Sequence, residues 1–167
     1  GFKKGRREKG MKLDFIDVRR AYFHARSRRE VYVALPPEDW EEGKCGKLRK
    51  EMYGNQDAAQ NWEYEYVEAM ESMGFRRGMA TPCAFYMKER NLRVVVHGDD
   101  FTSCGPEHAV AWFKRRIEAK YESKHSTLGP GKEHESSIRI LNRVLTWTAH
   151  GIMYEAGQRH VDIVIQE

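Results

Sequence analysis

The chain has 167 residues, of which 40% are hydrophobic and 32% charged, with a net charge of +4. That composition is globular and excludes a disordered acidic or basic tail, and the length suits one domain with a sizeable core, or one domain and a small appendage, rather than a multi-enzyme polyprotein. No apolar run approaches the roughly 20 residues of a membrane helix. Cys45, Cys83 and Cys104 have no CxxC spacing, which points away from a disulfide framework or a zinc ribbon and toward a reduced, intracellular setting, cytoplasm or nucleus, with no membrane partner.

Residues 1–10, rich in Gly, Lys and Arg, read as a basic lead-in. From Met11 to Val18 the alternation of Leu13 and Phe15 with Asp14, extended by Ile16 and Val18, predicts a strand that ends near Arg19. Val31 to Leu35 is a second strand candidate, closed by Pro36 and Pro37, and 38–46 reads as a loop. Beyond Gly54 comes the clearest helix. Trp62, Tyr66, Ala69, Met70 and Met73 recur at spacings of three and four, Asp57 stands at its start and Gly74 at its end.

Ala84 to Met87 and Leu92 to His97 predict strands around a turn at 88–91, and after Gly98-Asp99-Asp100 a further strand follows from Phe101 to Cys104. Pro106 suits the first turn of a helix whose inner face is Val110, Phe113, Ile117 and Tyr121. The Gly-, Ser- and His-rich stretch 123–137 reads as a connection. It leads to a strand from Ile138 to Trp147, a turn at His150-Gly151, a return strand through Met153 and Tyr154, and the opening of a helix over 158–165. This order predicts an α+β fold of split-βαβ, ferredoxin-like type: an antiparallel sheet with helices on one face and the other face open.

Asp99 and Asp100 at a hairpin tip crowd two carboxylates that a cation would balance, although a solvated turn reads the same way. Asp17, at the end of a strand able to run beside that hairpin, adds a third. Three converging carboxylates suit a pair of magnesium ions in phosphoryl transfer. Basic clusters at 3–9, 26–29, 44–50 and 114–116 suit either solvated faces or a phosphate backbone.

A family resemblance rests on several motifs in order. They are Ile16-Asp17-Val18-Arg19-Arg20-Ala21-Tyr22-Phe23-His24-Ala25, Glu30 to Pro36, Lys47-Leu48-Arg49-Lys50-Glu51-Met52-Tyr53-Gly54 with Ala58 and Trp62, Gly74-Phe75, Pro82-Cys83, Val94 to Asp100, and Leu128-Gly129. Together they resemble copia-type retrotransposon reverse transcriptases over about residues 12–165. The resemblance implies a polymerase palm with partial fingers over 11–137, preceded by the end of the fingers in 1–10 and followed by a palm–thumb hairpin and the start of the thumb over 138–167. It implies Asp17, Asp99 and Asp100 as catalytic metal ligands for two Mg²⁺ ions, or Mn²⁺, with a backbone carbonyl from Val18. Tyr22, Gly54 and Asp57 fall at nucleotide-binding positions, Tyr22 where an aromatic blocks a ribose 2′-hydroxyl, and His97 and Gly98 fall at the primer or template.

The implied partners are an RNA template and a DNA primer, deoxynucleoside triphosphates, and the rest of the polyprotein with its integrase and RNase H. The sequence departs from the family where Asp57 replaces a glutamine and His97-Gly98 replace Tyr-Val. Three other readings stay open: an RNA-copying RNA polymerase, against which Tyr22 argues, a non-catalytic nucleic-acid-binding remnant, and an unrelated domain with solvated acids. Trp62 reads as helix core.

Overall fold

In the computed structural model, residues 10–156 are described, so the lead-in at 1–9 and the expected C-terminal helix at 158–165 lie outside the described residues. The first strand, β1, is Lys12–Val18; it leads through a 3₁₀ turn, Ala21–His24, to a short pair, β2 (Tyr32–Val33) and β3 (Gly46–Lys47). The second predicted strand shrinks to two residues because its one partner, β3, is itself two residues long before Arg49 and Lys50 turn back toward the 25–27 segment.

Helix α1, Ala58–Ser72, buries Ala58, Trp62, Tyr66, Ala69 and Met70 on the face that the sequence spacing predicted. It stops at Gly74 (φ 95°), where the Gly74 N–H reaches the Glu71 carbonyl and the Phe75 N–H reaches the Met70 carbonyl. These paired bonds satisfy the last carbonyls of the helix, and the left-handed backbone between them favours glycine. The chain continues through β4 (Arg76–Arg77), β5 (Ala84–Met87), β6 (Leu92–His97), β7 (Asp100–Gly105), α2 (Glu107–Glu118) and β8 (Ser123–Leu128).

These strands form a six-stranded antiparallel sheet in the order β4-β5-β6-β7-β1-β8. The chain from β1 through α1 to β6 skips over β7, and the chain from β7 through α2 to β8 skips over β1. Ile16 and Val18 of β1, Leu92, Val94 and Val96 of β6, and Phe101 of β7 point to one face, where they join Trp62, Tyr66 and Met70 of α1 and Val110, Phe113 and Ile117 of α2 in a single core. Both helices therefore cover the same side. Among the described residues the fold is a mixed one of antiparallel sheets and two α-helices.

The predicted connection from 123 to 137 begins instead with strand β8 at the sheet edge. Its sequence, Ser-Lys-His-Ser-Thr-Leu, has no apolar alternation, because only Leu128 is fully buried and the pairing to β1 supplies the order. The single long strand expected from Ile138 to Trp147 is two, β9 (Ser137–Ile140) and β10 (Arg143–Thr148), folded about Leu141 and Asn142, both at positive φ. That is the backbone of a tight hairpin turn. With β11 (Gly151–Ala156) they make a separate three-stranded sheet. Ile138 and Ile140 of this sheet, with Phe15 of the larger one, line a cavity of about 300 Å³. The face opposite the helices is thus partly covered along β1 and β8.

Candidate metal and nucleotide site

Antiparallel register sets four charged or titratable side chains in a row across the face opposite the helices. Asp17 of β1 lies directly opposite Asp100 of β7, Lys124 of β8 lies opposite Asp17 on its other side, and His97 of β6 lies opposite Asp100. Directly opposed side chains in such a ladder stand about 4.5–5.5 Å apart at Cβ. The order Lys124, Asp17, Asp100, His97 places two carboxylates together at the centre, flanked by a cation on one side and an imidazole on the other. Asp17 and Asp100 border the cavity that Ile138 and Ile140 help to line.

Asp99 sits in the two-residue turn between β6 and β7. Gly98, the first central residue, has φ 63°, and Asp99 does not share the positive φ, which is the hairpin pattern that favours glycine in first place. The turn is held from both sides. The Trp62 indole N–H donates to the Gly98 carbonyl at 2.7 Å, and the Val18 N–H donates to the Asp99 carbonyl at 3.0 Å. Trp62 is therefore a core residue, as the sequence suggested, and also the tether of the turn, which helical spacing alone did not reveal. Val18 carries a fully buried side chain that anchors β1 in the core.

The Asp100 carboxyl is held above its ordinary value of 3.8, first by burial and then by the negative charge of Asp99 and Asp17, with His97 opposing. An ion bound there would relieve this crowding. The donors are carboxylate oxygens, the chemistry magnesium prefers, so the residues present fit the implied ions. Among the described residues, no group of three or more His, Cys, Asp or Glu side chains is already closed around a metal position. Asp17, Asp99 and Asp100 are neighbours through register and turn, without a finished cage.

Tyr22, in the 3₁₀ turn that follows β1, lies half-buried against the core. Its ring stacks on Tyr53 with centroids 4.6 Å apart, and Phe23 meets Tyr53 edge-on at 5.6 Å. The Tyr53 hydroxyl is pushed up, chiefly by burial and next by Asp99, with a smaller effect from Asp17. Those influences link Tyr53 to the carboxylates, although the sequence singled it out only as part of a motif. The resemblance itself was the available signal, since an exposed tyrosine before a glycine has no pattern of its own.

The remaining predicted positions are less closely joined. Gly54 has φ 94° with open space where a side chain would stand, the geometry of a turn glycine. Asp57 is the N-cap residue of α1, and its carboxylate pairs with Arg29. Lys124 was missed because the segment that holds it read as a connection.

A family model described as reverse transcriptase (RNA-dependent DNA polymerase) matches residues 7–137. The chain is also 24% identical over 131 residues, 74% of its length, to the retrovirus-related Pol polyprotein from transposon TNT 1-94 of Nicotiana tabacum. It spans 10% of the length of that protein.

Proposed function

The chain belongs to the reverse transcriptase (RNA-dependent DNA polymerase) family, of the copia type, and from that premise we propose that it is the palm and the start of the thumb of a retrotransposon Pol polyprotein. In this reading residues 11–137 form the palm with partial fingers and 138–167 lead into the thumb. The strand order then corresponds to a split-βαβ, ferredoxin-like sheet. The observation that carries the proposal is the pairing of Asp17 with Asp100 beside a tethered turn bearing Asp99.

Asp17, Asp99 and Asp100, with the Val18 carbonyl, are the oxygen donors that would hold two magnesium ions, or manganese. Such ions supply activation of a primer 3′-hydroxyl and neutralisation of the departing pyrophosphate. The chain itself orients and excludes. Trp62 fixes the turn so that its carboxylates are set before substrate arrives, which avoids reorganisation during the reaction. Lys124, opposite Asp17, offsets part of the carboxylate charge on the outer strand.

Tyr22, propped by Tyr53, borders the sugar of an incoming deoxynucleotide, where a 2′-hydroxyl would meet the ring. Gly54 and Asp57 flank the nucleotide, and His97 and Gly98 adjoin the primer end. The substrates are an RNA template, a DNA primer and deoxynucleoside triphosphates, and the working partner is the remainder of the polyprotein.

The test is extension of a DNA primer on an RNA template with magnesium, comparing the chain with its Asp99→Asn, Asp100→Asn double variant. Loss of these ligands is expected to lower the rate by at least about 10²–10³-fold, the scale of removing preorganised electrostatic stabilisation. Equal extension by both proteins would sink the assignment. Incorporation of ribonucleotides as readily as deoxyribonucleotides would overturn the role of Tyr22.

A second reading, a non-catalytic nucleic-acid-binding remnant, is favoured by the pairing of Asp57 with Arg29 at a position where the family has glutamine. It predicts salt-sensitive binding of a primer–template with no extension by the folded chain.

A further inference from the structure

On the helix side of the sheet, away from the aspartate row, Arg26, Arg28, Lys50 and Lys120 converge with Glu65 and Glu68 of α1 on a cavity of about 510 Å³. Arg26 and Lys50 oppose each other across an antiparallel bridge, held in place by the Ser27 N–H on the Arg49 carbonyl (3.3 Å) and the Glu51 N–H on the Ala25 carbonyl (2.9 Å). Like charges set directly opposite destabilise such a pair. Among the described residues, neither they nor Arg28 has a carboxylate within ion-pair distance.

The acids of the cavity do not redress this. Glu65 is matched by Lys120 at 3.0 Å and accepts from the Tyr121 hydroxyl at 3.3 Å, which leaves Glu68 against three cations. The Arg28 guanidinium lies 4.2 Å over the ring of Tyr64, a residue just outside the cavity lining that remains 45% exposed. Unmatched cations beside an exposed aromatic are the combination that binds single-stranded nucleic acid, phosphates to the charges and a base to the ring.

We propose that this cavity holds a single-stranded stretch of nucleic acid, its phosphates on Arg26 and Lys50 and a base against Arg28 and Tyr64, as a second contact distinct from the aspartate face. The choice of nucleic acid as the polyanion rests on the polymerase reading above; the unmatched charge does not.

The experiment measures binding of a fluorescent oligothymidylate by anisotropy across a salt series without divalent ions, for the parent and the Arg26→Gln, Lys50→Gln double variant. Two lost phosphate contacts should lower the slope of log affinity against log salt by ~1.4, about 0.7 for each contact to a single strand. The melting temperature should hold or rise, because the opposed charges are gone. Tyr64→Leu should weaken binding about tenfold by removing the stacked base, and it serves as the test if the double variant fails to fold.

An unchanged slope and affinity overturns the proposal. So does uptake of inorganic phosphate by the parent with no difference in oligonucleotide binding, which would make the cavity a small-anion site. Primer extension is read separately. Extension with an unchanged slope removes the cavity and keeps the polymerase, whereas a lowered slope without extension by the parent does the reverse.

Discussion

Asp14 and Asp17 stand three residues apart on β1, and because strand side chains alternate they meet opposite faces of one sheet. Asp14 faces the helices, is fully buried, accepts a hydrogen bond from Thr127 and leaves its Oδ2 without a partner, as does the Ser103 hydroxyl directly across the ladder. Asp17 is exposed and opposes Asp100. The helix face tolerates one carboxyl by surrounding it with packing and a hydroxyl. The other face gathers carboxylates that repel one another, an arrangement that lowers stability unless a cation joins them.

The largest test of this contrast is at Trp62, the residue that serves both faces. Trp62→Ala should cost about 3–5 kcal/mol by opening a cavity in the core, measured by urea unfolding. Trp62→Phe should keep most of the packing, lose about 1 kcal/mol with the bond to Gly98, and speed hydrogen exchange at the Val18 amide, which is held by the same turn. Equal exchange in the parent and Trp62→Phe would mean that the turn stands without its tether.

Next comes Gly98→Ala, which forces a side chain into the left-handed region and should destabilise by about 1–2 kcal/mol. Its effect on primer extension should exceed its effect on melting, because the strain falls on the turn that carries Asp99.

The two faces should share the sign of their pH dependence and separate by their effect on extension. A carboxyl whose folded pKa is raised, as burial raises that of Asp14, contributes stability that is fully present below its ordinary value of 3.8 and is lost as pH rises through the folded value. Asp14→Asn should therefore melt higher than the parent at pH 7 and lose that advantage at pH 3, with extension unchanged. Asp100, raised chiefly by burial and then by Asp99 and Asp17, follows the same sign. Asp100→Asn should gain stability at neutral pH without magnesium and lose extension. An Asp100→Asn variant that melts lower than the parent at pH 7 would remove the crowding argument.

Smallest is Ser103→Ala, expected to change stability by less than about 1 kcal/mol, since the hydroxyl it removes has no partner to lose.

Where apolar residues set the structure, the sequence was readable. The helical spacing of Trp62, Tyr66 and Met70, the stop at Gly74 and the alternation through Val94 and Val96 each mark a buried face, and the structure has those elements. β8 was not readable, because an edge strand of Ser, Lys, His and Thr takes its order from its neighbour. The fold at Leu141 and Asn142 was hidden because apolar residues stand on both sides of it, Ile138 and Ile140 before and Val144 and Leu145 after, so the stretch read as one strand. At the site, Asp17, Asp99 and Asp100 could be named from motif order. Lys124, Tyr53 and the bond from Trp62 to Gly98 depend on long-range register and packing, which residue spacing within one segment does not encode.

The position of β1 between β7 and β8 makes its seven residues unusually intolerant of insertion or deletion. Removing one residue ahead of Asp17 while both neighbours hold their register would turn Asp17 toward the core and bring Val18 out to face Lys124 and Asp100. Removing two would restore the faces but carry Asp17 two places along the ladder, away from Asp100. Length changes in this stretch thus have no mild class, in contrast to the loop between β2 and β3, where added residues lengthen a connection that already runs over the surface.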